Sequence, residues 1–414
     1  MTPETIVIKY GGTSVGSLER FRATAESVAA LQREGKRVIV VVSAMAGETD
    51  RLLKMGKEVH SAHQRDALRE LDSLIATGEQ VSAALLALAL QKIGVTAQSF
   101  TAHQLGIATD GRYQRARIRN VDCSALLERL DAGAVCVVAG FQGTDDDGNV
   151  VTLGRGGSDT SAVAIAVATR ASLCVISKDV DGIFTTDPRI VPSARKIDRL
   201  SYEEILELTS TGAKVLQMRS VEMAMKNQVR LSVISSFNNV SGTTIGPMND
   251  NMEEPLVSGL SHDLGQAKVS IRGLPGRPES LTIALAPLAK DDISVDFVTQ
   301  NIGDDGHMVV SFSLDEKLLE PALASLRRDL PSAQTSPAPG IEVQSGLAKV
   351  TAVGIGMRSH AGVAFRFFGA LTRESIPIHM ALSTEIKVSC LIPAADCSKA
   401  LRTLHAEFFP ASPS

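Results

Sequence analysis

A lysine at the end of a short apolar strand is followed almost at once by two glycines, and this arrangement can bind phosphate. The apolar residues are 6–8, then come Lys9, Gly11 and Gly12. Glycines let the backbone turn sharply and approach a ligand without side-chain clashes. A helical pattern beginning near Ser14 would aim free N–H groups and a positive helix end at the same point. The sequence therefore predicts a phosphate site, and the alternative is an ordinary turn that happens to carry a lysine.

A second glycine-rich motif, TLGRGGSD at residues 152–159, could bind a carboxylate. It runs into an Ala- and Val-rich segment, 158–169, that is predicted to be a helix. A guanidinium held in a glycine loop suits bidentate capture of a carboxylate, which assigns that role to Arg155. Ser158 or Asp159 could instead serve only to cap the helix.

Other polar residues follow predicted strands or interrupt predicted helices. Ser43 follows the apolar run 38–42, so it should lie at the carboxyl edge of the sheet, where ligands of open α/β sheets bind. Thr49 lies in the next loop. Glu79 is predicted at a helix interruption, where it could hold an ammonium group, and a plain surface position is the alternative.

Two later segments add acidic, basic and turn-forming residues. Residues 178–189 are dense in Asp, Gly and Pro and follow the apolar run 173–177, which predicts a structured loop at the sheet edge. Further on, Lys214 is predicted to begin a helix.

Apolar runs and helical periods alternate from residue 1 to about 245. This alternation favours an α/β layered domain with a largely parallel sheet. Strands are predicted at 38–42, 95–100, 135–139, 173–177 and 231–234, and helices at 66–92, 158–169 and 202–227.

Beyond a turn-rich linker at 246–256, the sequence contains a weak internal repeat. Residues 268–273 resemble residues 349–354. Each copy is followed by a helix-length segment and then a predicted second strand, at 292–296 and 375–379. Residues 331–340 form a loop by composition. The repeat predicts a paired regulatory or dimerisation module with copies at 257–340 and 341–414, and the alternative is two unrelated α/β segments.

Size and composition limit the class of protein. The chain has 414 residues, enough for two or three domains, and a net charge of −4 that gives no electrostatic reason to expect a nucleic-acid partner. Its apolar runs are too short to cross a bilayer, and no signal-peptide pattern is evident. The five cysteines lack metal or disulfide spacing. We therefore expect a cytoplasmic protein without a membrane partner or a protein-bound metal.

Six motifs in order resemble aspartate kinases of the amino-acid kinase superfamily. They are KYGGTSVG at 9–16, TGEQVS at 77–82, GFQG at 140–143, TLGRGGSDTSA at 152–162, DVDGIFTTDPR at 179–189 and TGAKVL at 211–216. The resemblance covers essentially the whole chain, because that family carries paired ACT domains where the repeat lies. It implies an α/β fold, the amino-acid kinase fold with a mainly parallel central sheet, followed by two ferredoxin-like ACT domains.

The resemblance also implies a reaction and a set of roles. The γ-phosphoryl group of ATP, delivered with Mg²⁺, passes to the β-carboxylate of L-aspartate, in the first step of lysine, threonine and methionine biosynthesis. Lys9 and Asp159 carry the catalytic roles, Lys9 neutralising the transferring phosphoryl group and Asp159 orienting Lys9 or meeting the metal-bound phosphates. Aspartate is bound by Ser43, Thr49, Glu79, Arg155 and Ser158, and the nucleotide by Lys9, Tyr10, Gly11, Gly12, Asp179, Phe184, Arg189 and Lys214.

The carboxyl-terminal repeat departs from the family pattern. ACT pairs in this family build homo-oligomer contacts and effector sites, often for lysine or threonine. Residues Gln300, Asn301, Met357 and Ser359 match that pattern, but Gly276 replaces a common Asp, Glu279 replaces Gly and Pro377 replaces a common Asn. We hypothesise that the module keeps its fold while its effector response is weakened or altered. An internal start near Met252 could also yield a separate ACT-only subunit.

Three alternatives remain at this point. Another kinase of the same superfamily would act on a different carboxylate or carbamate, but it does not explain the repeat or the combination of Arg155 with Glu79. An amino-acid sensor that uses only the ACT pair conflicts with the retention of Lys9, Asp159 and Lys214. A Rossmann dehydrogenase fits poorly, because residues 11–16 do not match the GxGxxG pattern.

Overall fold

The computed structural model describes residues 4–61, 64–213, 215–238, 240–247, 256–330, 340–360 and 362–410, with only the backbone of 358 and 359. The chain divides into two compact units. The first unit contains residues 1–184, 196–209 and 214–252, and the second contains residues 185–195, 210–213 and 253–414.

The first unit is built around an eight-stranded sheet. The strands described in this unit, which also form two smaller sheets, are β1 (Thr5–Tyr10), β2 (Arg37–Val42), β3 (Ala97–Phe100), β4 (Ile107–Thr109), β5 (Ile118–Val121), β6 (Val135–Ala139), β7 (Gln142–Thr144), β8 (Val150–Thr152), β9 (Leu173–Lys178), β10 (Ile183–Phe184), β11 (Lys196–Ile197), β12 (Arg199–Ser201), β13 (Leu231–Ser235) and β14 (Thr243–Gly246). The main sheet has the order β12-β14-β13-β9-β1-β2-β6-β3, and its pairs are parallel apart from β13 with β14. Strands β5-β4-β7-β8 form a smaller sheet, and β10 pairs with β11.

The helices in the described part of the first unit are α1 (Leu18–Arg33), α2 (Glu48–Val59), α3 (Arg65–Lys92), α4 (Ser124–Asp131), α5 (Gly157–Ala168), α6 (Tyr202–Ser210, whose last residue is assigned to the second unit) and α7 (Met218–Asn227). Helices α1 and α3 pack on the central strands through buried residues such as Phe21, Val28 and Leu86. By length and composition α3 could cross a membrane, but half of its most apolar stretch is buried inside the protein, as in a core helix.

Two predicted helices differ from the observed ones. Helix α1 begins at Leu18 rather than near Ser14, because the Ser17 hydroxyl accepts the Arg20 N–H (3.3 Å) and defines the helix start. The single helix predicted at 202–227 is two helices. The backbone breaks between them at Gly212, whose φ of +120° is one that side chains rarely adopt.

The second unit is a six-stranded antiparallel sheet with helices. Its elements are β15 (Gly259–Pro275), α8 (Glu279–Lys290), β16 (Val298–Ile302), β17 (His307–Asp315), α9 (Leu319–Asp329), β18 (Gly340–Val353), α10 (Val363–Arg373), β19 (Met380–Ser383), β20 (Lys387–Pro393) and α11 (Cys397–Phe408), with 3₁₀ turns at 316–318, 355–359 and 394–396. The sheet order is β16-β17-β15-β18-β20-β19. The same strand–helix–strand–strand–helix order therefore occurs twice, and it contains the strand–helix–strand unit that the repeat predicted.

The second strand of each copy was predicted too early. Residues 292–296 and 375–379 are not strands, and β16 and β19 begin at Val298 and Met380. The physical reason is the same in both copies. Asp292 and Ser375 have φ of +57° and +55° directly after helices α8 and α10, so the chain is still turning there.

The two cores of the second unit interleave along the chain. Leu260, early in β15, belongs to the same buried cluster as Phe367 and Leu401 of the second copy. Val269, later in the same strand, belongs to the cluster that contains Phe312 of the first. The predicted division of the two copies at residue 340 therefore does not separate the two cores, because the start of β15 contributes to the core of the second copy. Most of the predicted linker, residues 248–255, and the predicted loop at 331–339 lie outside the described residues.

Candidate active site

Lys9 and Lys178 both contact the carboxylate of Asp159. The Nζ atom of Lys9 lies 2.7 Å from Oδ1, and the Nζ atom of Lys178 lies 3.3 Å from Oδ2. Asp159 is 2 % exposed and Lys9 is 7 % exposed. Burial alone would raise the pKa of Asp159, but the two ammonium groups outweigh it and hold that pKa below its usual value. The carboxylate is therefore ionised and fixes the positions of both cations.

Sheet register explains how these side chains meet. Lys9 on β1 is opposite Ile176 on the parallel neighbour β9, so Lys178, two residues further along β9, faces the same side of the sheet. Asp159 comes from the first turn of α5, which packs on that side against β1 and β9. All three groups thus lie at the carboxyl edge of the central strands.

The glycine turn after β1 packs tightly against the loop after β2. A Cβ atom on Gly12 would lie 2.8 Å from the Ala44 carbonyl oxygen, and the Gly12 carbonyl accepts the Ala46 N–H at 3.2 Å. A Cβ on Gly11 would lie 3.7 Å from Lys9 Nζ, while the Gly11 N–H points to the Ser177 carbonyl at 3.4 Å. The lack of side chains at these positions allows close approach beside the Lys9 ammonium group.

Glu79 is a buried carboxylate on the central helix α3. Its Oε1 atom accepts the Ala44 N–H at 2.9 Å, and its buried Oε2 atom has no hydrogen-bond partner among the described residues. Burial raises the pKa of Glu79 to about 7, against the opposing effects of the Ala44 N–H and the Lys9 charge. The predicted helix interruption is wrong, because α3 continues through this position. Gly78 allows the helix to approach Ala44, whose Cβ would be only 2.8 Å from an added Cβ.

Asp72, on the same helix, holds the glycine-rich loop that precedes α5. Its carboxylate accepts the N–H of Gln114 at 2.9 Å and both the N–H and hydroxyl of Thr152, at 2.7 and 3.0 Å. Burial raises the pKa of Asp72, although all three donors oppose the shift. Arg219 binds the loop from another side, donating to the Leu153 carbonyl at 2.9 Å.

Arg155 lies exposed in the loop that Asp72 anchors, and its carbonyl accepts a hydrogen bond from Gln217 (2.9 Å). The alternative interpretation, in which Ser158 or Asp159 only caps α5, does not hold. The N-cap is Gly156, with φ of +70°, and both residues lie buried in the first turn. Ser158 faces Gly140, where an added Cβ would lie 2.9 Å from the Ser158 Cβ.

The other residues predicted to bind aspartate or nucleotide are spread around this edge of the first unit. Ser43 ends the β2 region and donates its N–H to the Tyr10 carbonyl at 3.1 Å, and Thr49 lies half-buried in the first turn of α2. The Tyr10 side chain packs in the hydrophobic core, where burial raises its pKa to about 12. Asp179 is exposed directly after β9, and Phe184 is half-buried at the end of β10.

The remaining predicted residues belong to the second unit or lie outside the described residues. Arg189 belongs to the second unit, where it is exposed and pairs with Asp187 at 2.7 Å. Lys214 and the Ser359 side chain lie outside the described residues. Gln300 and Asn301 are exposed on the edge strand β16, and Met357 is buried in the turn at 355–359.

Sequence reasoning missed two residues at this site. Lys178 carried a usable signal, because it ends an apolar strand just as Lys9 does. Asp72 carried no such signal, because its neighbours in sequence are those of an ordinary charged position on a helix. Its partner Thr152 is 80 positions away. Within the described ranges, no cluster of three His, Cys, Asp or Glu side chains could hold a metal ion.

The chain is similar in sequence and structure to known proteins. Residues 4–235 match the model of the amino acid kinase family, and residues 350–408 match an ACT domain. An aspartokinase of Pseudomonas aeruginosa is 45% identical over 405 residues, covering 97% of each chain. The structure of E. coli aspartokinase III with aspartate and ADP (R-state) superposes with a TM-score of 0.79, at 28% identity, over 98% of this chain and 100% of that one. The lysine and aspartate complex (T-state) gives 0.74 at 27% identity, over 98% and 99%.

Proposed function

The chain belongs to the aspartate kinases of the amino acid kinase family, and from that membership we propose how its residues carry out the reaction. The enzyme is an ATP-dependent phosphotransferase that phosphorylates the β-carboxylate of L-aspartate. The fold and activity predicted from the motifs are thereby confirmed. The alternatives of a dehydrogenase, a sensor without activity and a kinase for another acceptor are set aside by 45% identity over 97% of the chain.

The chemical task is to bring two anions together. The attacking β-carboxylate is already ionised at neutral pH, so the reaction needs no general base. The obstacle is repulsion from the triphosphate, about 1 kcal/mol per contact charge pair in water and about 4 at an effective dielectric near 20. Cations held in place before the reaction remove that obstacle without further reorganisation.

Lys9 is the cation we assign to the transferring phosphoryl group. The observation that carries this assignment is its 2.7 Å contact with buried Asp159, directly before the glycine turn. Asp159 orients the ammonium group, and the backbone of Gly11 and Gly12 leaves room for phosphate oxygens beside it. Mg²⁺ would be held mainly by the ATP phosphates and by water and would offset phosphate charge, so the site requires few protein carboxylates.

Aspartate binds between the loops held by α3. Arg155 pairs with the substrate α-carboxylate in a bidentate geometry, and the Oε2 atom of Glu79 accepts the α-ammonium group. Ser43, Thr49 and Ser158 add hydrogen bonds. A buried carboxylate oxygen without a protein partner is what an ammonium ligand requires.

The nucleotide lies over the end of β9. Asp179 and Phe184 follow this strand, and the Phe184 ring packs on the base, although it lacks the hydroxyl that a tyrosine would offer. Tyr10 contributes only its backbone, because its side chain is in the core. Lys214 remains a proposed nucleotide contact, and Arg189, in the second unit, is not assigned to this site.

The second unit serves regulation and assembly, with a weakened effector response. A Cβ at Gly276 would lie 2.6 Å from the Gly306 carbonyl oxygen, so an aspartate cannot occupy that position without a backbone shift. Pro377 lacks both an N–H and an amide side chain. The exposed edge strand β16, with Gln300 and Asn301, offers unpaired backbone groups to a second copy, which supports a homo-oligomer. A separate ACT-only chain starting near Met252, a residue outside the described ranges, is part of the same proposal.

One assay tests the acceptor, the Mg²⁺ requirement and the weakened effector response together. Purified full-length protein is incubated with MgATP, hydroxylamine and L-aspartate, and acyl phosphate is detected as the hydroxamate, with glutamate as the matched acceptor control. We expect aspartate-dependent turnover that requires Mg²⁺ and changes little with millimolar lysine, threonine or both. Turnover with glutamate but not aspartate would contradict the acceptor, and strong cooperative inhibition by lysine plus threonine would contradict the weakened response.

A further inference from the structure

Lys178 is a second cation at the candidate phosphate site that the proposed mechanism above does not use. Its ammonium group lies 3.3 Å from Asp159 Oδ2, and its side chain is 21% exposed, against 9% for that of Lys9. Lys178 ends β9 between the two parallel strands β1 and β13. Ligands of open parallel sheets bind outside this carboxyl edge.

The backbone of Lys178 is held firmly in this position. Its carbonyl accepts both the N–H and the hydroxyl of Ser236, at 2.7 and 2.8 Å. The Ser236 hydroxyl also accepts that of Ser14 at 2.9 Å, from the turn that follows the two glycines. The strand end that carries Lys178 is thus tied to the same glycine turn that follows Lys9.

Two ammonium groups share one contacting carboxylate. Among the described residues, Lys9 and Lys178 share Asp159 as their single paired anion, while Glu79 acts on Lys9 only through its charge. Lys9 makes the shorter contact and already neutralises Asp159 from within the core. An ammonium group has three N–H donors, and the single contact of Lys178 with Asp159 leaves donors for a ligand on its exposed side.

We propose that Lys178 is a second phosphate-binding cation, contacting the phosphate chain of the nucleotide beside Lys9, with Asp159 setting the spacing of the two ammonium groups. This inference rests on the proposed phosphate site at Lys9. Asp159 then acts as a positioning residue, because its negative charge offsets the repulsion between the two ammonium groups. When the phosphates bind, each lysine gains a second anionic partner while keeping its contact to Asp159.

The test separates phosphate binding from a purely structural role. Binding of ADP and of adenosine is measured by calorimetry for the wild type, Lys178→Met and Lys178→Arg. The control is Lys36→Met, which removes the same charge at the amino edge of the sheet, where Lys36 pairs with Glu34 (3.5 Å). Losing a charge-assisted contact should weaken ADP binding roughly ten- to a hundredfold in Lys178→Met. Adenosine affinity and the KM for aspartate should change less than about twofold, and Lys178→Arg should recover most ADP affinity.

A second measurement on the wild type avoids dependence on variant folding. ADP, but not adenosine, should protect Lys178 from acetylation by a water-soluble reagent, while Lys36 reacts equally in both samples. Unchanged ADP affinity in Lys178→Met, or equal weakening of ADP and adenosine, overturns the inference, and so does equal acetylation with either ligand. Wild-type turnover of aspartate, measured in parallel, tests the catalytic assignment separately, because the ADP and adenosine comparison does not depend on it.

Discussion

Asp72 and Glu79 lie seven residues apart on helix α3 and bind two different loops of the same site. Asp72 holds the loop that carries Arg155 through Gln114 and Thr152, and Glu79 holds the loop after β2 through Ala44. A separation of seven residues puts both carboxylates on one helix face, two turns apart. The rigid helix therefore sets the distance between the loops to which we assign the two ends of bound aspartate.

Replacing Asp72 by Asn should loosen the loop that carries Arg155. The neutral Asn oxygen binds the two N–H groups more weakly than the carboxylate, and an NH2 group replaces the acceptor of the Thr152 hydroxyl. We expect these changes to cost about 1–3 kcal/mol. We expect a lower free energy of unfolding in urea and a higher KM for aspartate, with the KM for ATP little changed.

The matched control for this change is Asp131→Asn. Asp131 pairs with Arg37 at the surface, where its side chain is 67% exposed, and surface pairs contribute about 0–1 kcal/mol. If both variants lost the same small stability, or if the KM for ATP rose instead, Asp72 would not act through the Arg155 loop.

The raised pKa of Glu79 predicts how aspartate capture depends on pH. With a pKa of about 7, the carboxyl group is increasingly neutral below neutrality, and a neutral acid cannot pair with the substrate ammonium group. At saturating MgATP, kcat/KM for aspartate should therefore fall below pH 7, by up to about tenfold per pH unit, and level off above pH 8.

Glu79→Gln isolates this group from others that titrate nearby. The variant should have a lower kcat/KM for aspartate at pH 8 and should lose the acid limb. A wild-type profile that is flat between pH 6 and 8, or a Gln variant that keeps the same limb, would remove Glu79 from ammonium binding.

Uninterrupted patterns made some of this structure predictable from sequence. Strand β6 coincides with the predicted 135–139, and β2 and β9 each differ by one residue, because all three are continuous buried runs. The break between α6 and α7 at Gly212 depends on the φ angle of one residue, whereas the surrounding residues have a pattern that predicts a continuous helix. Gly78, beside Glu79, led to the opposite error. Its presence predicted a helix interruption, but it allows the continuous helix α3 to pack against Ala44.

Contacts between side chains were predictable only where both partners lie in a recognisable sequence motif. Lys9 and Asp159 lie in glycine-rich motifs, so each was recognisable before the fold was known. The contact of Asp72 with Thr152 joins a helix to a strand end 80 residues later, and no local pattern encodes it. Such pairs follow from tertiary packing rather than from periodicity.

Arg155→Ala should act mainly on aspartate. The side chain is exposed in a loop that is held by Asp72, Arg219 and Gln217, so its removal should leave the fold unchanged. Losing a bidentate carboxylate contact should raise the KM for aspartate by roughly ten- to a hundredfold with little change in the KM for MgATP. Initial-rate kinetics with each substrate varied would check this, and a raised KM for ATP alone would reassign Arg155 to the nucleotide.

Lys9→Ala should act on the chemical step itself. The variant keeps Asp159 paired with Lys178, so the buried carboxylate is not left without a cation. The transferring phosphoryl group nevertheless loses its preorganised charge partner, and kcat should fall by at least about a hundredfold. Lys36→Ala, with the same charge change at the opposite sheet edge, should retain wild-type kcat. Turnover of Lys9→Ala within about threefold of wild type in the hydroxamate assay would place the phosphoryl group away from Lys9 and overturn the mechanism.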